Sequence, residues 1–419
     1  MKEKVDLIIK NANQVVTLAG YSGSPFVYGP DADLGIIENG AVAVDEGKIV
    51  DAGVTDRILE KFTSDTFIEA NGKVIVPGFV DSHTHLIFAG SREDELVMKL
   101  KGFSYLDILA RGGGIVRTVN ATRKATKDEL FKMGVKILNT MLAHGITTIE
   151  AKSGYGLDTK NEIKILEVIN KLNEQHKATV VPTLMAAHAI PPEYKANPDD
   201  YVRYIVDDTI PKVAERNLAM FNDVFCEKGV FSVEQSYEIL MTGKRYGLIP
   251  KIHADELTTL GGAELAAKVG AISADHLLYA SDTGLKMLAD RSIVGVLLPA
   301  TSMTNFSERY ADVKRMKAYG VPIALASDLN PNCYSENLQF TMTLACYMMH
   351  MTPEEIIPAV TINAAHAIGM ARKIGSIETG KYADMVILDI PNINFIGYRF
   401  GINLVDTTIK DGDVVFTAR

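Results

Sequence analysis

The chain changes its hydrophobic grammar twice. Residues 1–73 alternate apolar and polar positions between turn signals, the period-two pattern of half-buried strands. V-D-L-I-I-K-N-A-N-Q-V-V-T-L (5–18) reads as two short strands. G-A-V-A-V-D-E-G-K-I-V-D-A-G (40–53) reads as a hairpin turning at Glu46-Gly47, and D-T-F-I-E-A-N-G-K-V-I-V (65–76) as another turning at Asn71-Gly72. Residues 21–33, rich in Gly, Pro and Asp, read as a loop. The alternation returns near the C-terminus, in the stretches 375–389 and 407–417, with a turn at Asp411-Gly412.

Between these ends the pattern becomes strand, loop, helix, repeated. Apolar runs predict strands at 74–80, 146–151, 179–186, 223–226, 248–253, 271–274, 293–298 and 322–327. Stretches with helical spacing separate several of them. In 127–144, Leu130, Met133, Ile137 and Met141 recur on one face, and Gly145 stands where a helix-ending glycine belongs. Eight such units favour a (β/α)8 TIM-like barrel over an open doubly wound sheet. The expected organisation is a barrel over 74–372. Segments 1–73 and 373–419 flank it and pair into one composite β-sandwich domain.

Active sites of such barrels lie at the C-terminal ends of the strands, so the residues standing there are the candidates. The first strand runs into His83 and His85, which share a face at i, i+2. The second ends at Glu150 and Lys152, the third at His188, and the fourth at Glu227. His253, Asp255 and Glu256 follow the fifth, Asp275 and His276 the sixth, and Asp328 and Asn330 the eighth. A purely structural barrel has no reason to place polar groups at so many strand ends. Three histidines and a carboxylate (His83, His85, His253 and Asp328) suffice to hold one metal ion with water as the reactive ligand. Asp328 is placed to take the proton of that water. His276 is a candidate for stabilising charge on a substrate oxygen, and Glu256 for binding or protonating a substrate nitrogen.

These residues resemble the amidohydrolase superfamily: V-P-G-F-V-D-x-H-T-H, the H-A-D-E stretch, the later His and the terminal Asp, with a split β domain closed by G-K-Y-A-D-M-V-I-L-D. G-S-R-E-D-E-L (90–96), Y-L-D-I-L-A-R-G-G-G-I (105–115), E-A-K-S-G-Y-G-L (150–157) and A-A-H-A-I-P-P-E-Y (186–194) resemble, more narrowly, its imidazolonepropionase family. That resemblance implies hydrolysis of the lactam C–N bond of an imidazolone bearing a propanoate, with one zinc or iron ion and a homodimer. By the same resemblance Glu256, His276 and Asp328 are catalytic, while Arg92, Tyr105, Tyr155, His188, Glu256 and Asn330 bind substrate. Arg92 offers a planar fork suited to the carboxylate. The family's strand-eight loop runs D-x-N-P-G and then Ser or Thr; here it is D-L-N-P-N-C, so Asn332 and Cys333 occupy its two other substrate-contacting positions. The same scaffold also serves deaminases of purine, pterin or triazine rings, which the histidine and carboxylate pattern alone does not separate.

Charge and composition narrow the partners. A net charge of −9 argues against nucleic acid, while leaving room for a small anionic substrate met by one or two local cations. Three scattered cysteines (Cys226, Cys333 and Cys346) make no disulfide framework and fit a reducing cytoplasm. The charged N-terminal stretch lacks the apolar core of a signal peptide, and no run approaches the ~18–20 apolar residues that span a bilayer. His144, His176, His350 and His366 read as structural. Cys333 has no evident base at a usable spacing for a nucleophile.

Overall fold

The computed structural model describes residues 2–29, 32–103, 107–108 and 111–418. Eight parallel strands form the barrel: β1 Phe79–Asp81, β2 Ile146–Lys152, β3 Thr179–Ala187, β4 Phe221–Cys226, β5 Ile249–Ala254, β6 Ser273–His276, β7 Val294–Leu297 and β8 Ile323–Leu325. Each pairs with the next in sequence. The seam between β8 and β1 is closed just beyond the strands. There the His85 N–H donates to the Leu329 carbonyl at 2.8 Å and the Asp328 N–H to the His83 carbonyl at 3.1 Å. The metal-ligand candidates of the first and eighth strands are therefore locked in register by backbone.

Helices pack outside the strands on their apolar faces. In Lys127–Ala143 the buried positions are Leu130, Gly134, Ile137, Leu138, Met141 and Leu142. Thr126 and Glu129 form a reciprocal capping box at its start, and Gly145, at φ 85°, ends it. Among the described residues no helix is long and apolar enough to cross a membrane.

The apolar run expected as one strand over 74–80 is in fact two. Val74–Pro77 pairs antiparallel with Met385–Leu388 and parallel with Gln14 and Val15, in the sheet built by the chain ends. Phe79–Asp81 belongs to the barrel. Gly78 is the crossing point: its N–H donates to the Asp384 carbonyl at 2.8 Å, while the next N–H, of Phe79, donates to Gly145 at 3.0 Å. Pro77 has no N–H to extend either ladder. A Cβ at residue 78 would sit 2.4 Å from Thr147 Oγ1, so glycine is required there. An unbroken apolar run is silent on which sheet each half joins.

The terminal sheet has the order Asp413–Thr417, Val405–Lys410, Met385–Leu388, Val74–Pro77, Leu7–Val16, Ile36–Asp45, Lys48–Val54. Leu7–Val16 is one strand rather than two; Asn11, at φ 60°, makes an irregularity that the register absorbs between Ile9 and Ala12. The hairpin expected at Asn71-Gly72 does not form. Phe67–Glu69 and Val74–Pro77 instead lie one after the other along that long strand, both parallel to it. Turns at Glu46-Gly47 and Asp411-Gly412 are present, each with both residues at positive φ. One face of the sheet buries Ile9, Val15, Val42, Ile75 and Met385. The other buries Ile8 and Ala43 against Ile58 of helix Thr55–Lys61, which the alternation in sequence did not announce.

Candidate active site

Four imidazoles and an aspartate converge at the C-terminal end of the barrel. His83 Nδ1 lies 2.6 Å from Asp275 Oδ2 on β6, and His253 Nδ1 lies 3.1 Å from Asp223 Oδ1 on β4. A carboxylate on Nδ1 fixes the proton there and turns the Nε2 lone pair toward the barrel axis. Nε2 of His83, His253 and His276 are buried without any hydrogen-bond partner. Asp328 Oδ1 stands 3.6 Å from His83 Nε2 and 3.8 Å from His85 Nε2. One ligand atom each from His83, His85 and His253 lie within 4.8 Å of one another, as do those of His83, His276 and Asp328. Tetrahedral ligands on bonds of about 2 Å stand about 3.4 Å apart, so this cluster fits a single cation. Orphaned buried lone pairs facing one point are the complementary observation, since each is costly unless something fills the space.

Electrostatics agree. Burial, followed by the Lys152 charge, holds His83 well below the ordinary imidazole pKa, and burial does the same for His85 and His276. These rings are neutral at physiological pH, the state in which imidazole binds a metal. Burial opposes protonation of His253 too, but the Asp223 charge and hydrogen bond outweigh it and raise its pKa. Lys152 is fully buried. Its ammonium contacts Glu150 Oε1 at 2.8 Å and Asp223 Oδ2 at 2.7 Å, and approaches Asp275 Oδ2 at 3.9 Å. It holds the two aspartates that hold the histidines. Burial and then the Asp328 charge push the Glu256 carboxyl up to about 8, so it carries a proton at neutral pH. Glu256 Oε2 lies 3.6 Å from His276 Nε2. Both line a cavity of about 90 Å³ together with Leu257, Tyr279, Thr301 and Asn305.

Backbone strain accompanies this geometry. Asp255, His276, Leu277 and Asp328 all have positive φ. Asp255 is a scaffold residue: its carboxylate accepts the N–H groups of Leu260, Gly261, Gly262 and Ala263 at the start of helix Gly262–Val269. Glu227 accepts from the Leu257 N–H at 2.8 Å and from Thr258, so it fixes the loop carrying Glu256; it also accepts the Lys228 N–H at 2.8 Å just past its own strand, and among the described residues it forms no ion pair.

The substrate-side candidates surround this centre. The His188 ring stacks on His85 at 4.6 Å, with Nδ1 3.1 Å from the Gly154 carbonyl, and Tyr155 lies 5.3 Å from His188. Arg92 donates through Nε to Glu95 Oε2 at 2.8 Å, and the other Glu95 oxygen accepts the Gly114 N–H at 2.8 Å. Gly112-Gly113-Gly114 is thus a turn tied to the arginine. Asn330 donates to Asp328 Oδ1 at 3.1 Å and accepts the N–H groups of Asn332 and Cys333. Cys333 turns its buried thiol to the Ser327 carbonyl at 3.6 Å, and burial pushes that thiol up to about 12. The Asn332 amide is held by Lys99 and Asn305. Tyr105 lies outside the described residues. Reading the sequence missed Asp223, Thr301, which donates to Asp328 Oδ2 at 2.5 Å, and Glu162, which accepts the N–H groups of Gly154, Gly156 and Leu157. Asp223 left one trace, an acidic residue inside an apolar strand.

Residues 74–415 match the amidohydrolase family. The chain is 52% identical to an imidazolonepropionase of Shouchella clausii, over 98% of this chain and 92% of that protein. It is 50% identical to one of Geobacillus kaustophilus, over 98% of this chain and 97% of that protein. The chain belongs to the amidohydrolase family, among the imidazolonepropionases. The fold is similar to that of a solved adenosine deaminase from Xanthomonas campestris with bound zinc, at a TM-score of 0.74 and 17% identity over 100% of this chain and 94% of that one. Within this amidohydrolase the family match begins at the very strand that crosses from the terminal sheet to the barrel.

Proposed function

We propose that this chain hydrolyses 4-imidazolone-5-propanoate to N-formimino-L-glutamate, a step in histidine degradation. It is a hydrolase acting on the C–N bond of a cyclic amide. The observation that carries the reading is 50% identity along 98% of the chain with a protein named imidazolonepropionase. His83, His85, His253 and Asp328 would hold a zinc or iron ion, which when bound supplies Lewis acidity toward the ring carbonyl and makes water a stronger acid.

The remaining chemistry belongs to the chain itself. Asp328, oriented by Thr301 and Asn330, accepts a proton from the attacking water. Oxygen adds to the ring carbonyl carbon, and that carbon's bond to the ring nitrogen breaks. Glu256, protonated at neutral pH, delivers a proton to the departing nitrogen. The new carboxylate and the formimino group leave as parts of one product. His276 stands beside Glu256 with Nε2 free, placed to stabilise charge on the carbonyl oxygen. His188 and Tyr155 wall the ring, Asn330 meets it from the strand-eight loop, and Arg92 receives the propanoate.

The test is ultraviolet decay of freshly prepared imidazolone propanoate, with guanine and adenosine as controls. Enzyme-dependent decay of the first alone is the expected result; turnover of a purine without it overturns the reading. We read the protein as a cytoplasmic homodimer that binds neither nucleic acid nor membrane. Light scattering on the eluted protein checks the dimer.

A further inference from the structure

Two cations lie on the loop and helix that follow β1, and the structure treats them differently. Arg92 is compensated: Nε and Nη2 both contact Glu95 Oε2, at 2.8 and 2.7 Å, and Glu95 is buried. An incoming carboxylate at Arg92 therefore meets a carboxylate already there, and the pair brings no net charge. Lys99, one side of helix Glu93–Leu100 further on, is half-buried and makes no ion pair among the described residues. Its ammonium donates to two neutral acceptors, Asn332 Oδ1 at 2.6 Å and the Thr304 carbonyl at 3.3 Å. An ammonium has three protons, so one donor and a full positive charge remain. Burial and the neighbouring Arg92 charge lower its pKa against the pull of the Glu95 carboxylate, the buried carboxylate that the two cations share.

Asn332 does the aiming. Its Oδ1 takes the Lys99 proton, its Nδ2 donates to Asn305 Oδ1 at 2.9 Å, and its N–H donates to Asn330 Oδ1 at 2.8 Å. Asn330 in turn contacts Asp328. One chain of hydrogen bonds thus runs from the catalytic aspartate along the strand-eight loop to Lys99. An amide, unlike a carboxylate, orients the ammonium without neutralising it.

We propose that Lys99, held by Asn332, is a specificity-determining residue that supplies the uncompensated positive charge for the substrate's propanoate beside Arg92. This deepens the imidazolonepropionase reading and rests on it. A substrate with its ring at Asp328 and its tail along the strand-eight loop ends at this lysine. The missing proton acceptor and the missing counter-charge are then both provided by one carboxylate group.

The experiment compares wild type, Lys99→Met, Lys99→Arg and Asn332→Asp on imidazolone propanoate and on its side-chain carboxamide. Metal content and melting temperature are measured for each protein. On the acid, Lys99→Met raises KM about tenfold or more, the loss expected for a charge-assisted contact, with kcat nearly unchanged. Lys99→Arg restores most of that loss. Asn332→Asp, which keeps the lysine but gives it a counter-charge, also raises KM. On the carboxamide, wild type and Lys99→Met have equal KM. Equal KM values on the acid in wild type and Lys99→Met, or a rise of the same size on the carboxamide, overturn the lysine's role while leaving the activity intact. No turnover of the acid by wild type overturns the underlying reading and the lysine's role with it.

Discussion

The two halves of the site are built by opposite means. The half with the clustered histidines stands on strands and on the stretch just past β1: His83, Asp223, His253, Asp275 and Lys152 are all buried, and carboxylates pair with the imidazole Nδ1 atoms and with the ammonium. The half to which we assign the substrate's carboxylate stands on the segments after β1 and β8. There Arg92, Lys99, Asn330 and Asn332 are only partly buried and meet through side-chain amides and loop backbone. In the proposed reaction the first half would set the chemistry and the second would select the molecule. Rigid elements give the precision a metal needs, while loops tolerate exchange of individual residues. Of the two residues by which this chain's strand-eight loop departs from the D-x-N-P-G pattern, Asn332 falls in the second half, while Cys333 is buried against Ser327.

Changes on the metal side should do the most damage. Asp328→Asn should abolish turnover and leave the protein with well under about one metal ion per chain, as read by elemental analysis. A variant with wild-type metal content and rate would remove Asp328 from the centre. Glu256→Gln keeps the shape but has no transferable proton; kcat should fall about a hundredfold or more while metal content is unchanged. Asp223→Asn replaces the charged partner of His253 by a neutral one and leaves Lys152 undercompensated. Metal affinity should weaken about ten- to a hundredfold in chelator competition. On the other half, Arg92→Ala should raise KM about tenfold with a smaller change in kcat; an unchanged KM would take Arg92 out of the site.

The smallest effect belongs outside both halves. Burial pushes Glu378 up, but hydrogen bonds from Ser22, Ser376 and the Gly20 N–H, with the Lys381 charge, bring it down to about 2. A carboxyl whose folded pKa is depressed stabilises the fold above its unfolded value of 4.5 and loses that contribution as pH falls toward 2. Glu378→Gln should lower Tm by about a degree or two at pH 7 and reduce the difference between pH 5 and pH 3. Turnover at pH 7 should not move.

The contrast also explains what was legible in the chain. Residues at strand ends could be read because strand periodicity and barrel topology dictate where they point: His83, His85, His253, His276 and Asp328 come together as expected. Partners from neighbouring strands were harder. Asp223 becomes meaningful only once β4 lies beside β5 and its carboxylate meets His253. Loop contacts were opaque, because Lys99 and Asn332 are 233 positions apart and neither belongs to a periodic pattern. The split of 74–80 was hidden for another reason: both halves are fully buried, so their hydropathy is the same although their hydrogen bonds run to different sheets.

That crossing at Gly78 ties the order of assembly to the catalytic centre. The segment leading to His83 and His85 is gripped upstream by Met385–Leu388, synthesised some three hundred residues later. Without those late residues, the strand that leads to His83 and His85 keeps only its pairing with Gln14 and Val15 and has an open edge. A chain cut short before Met385 would leave Val74–Pro77 without that neighbour, one residue before the turn into the first barrel strand.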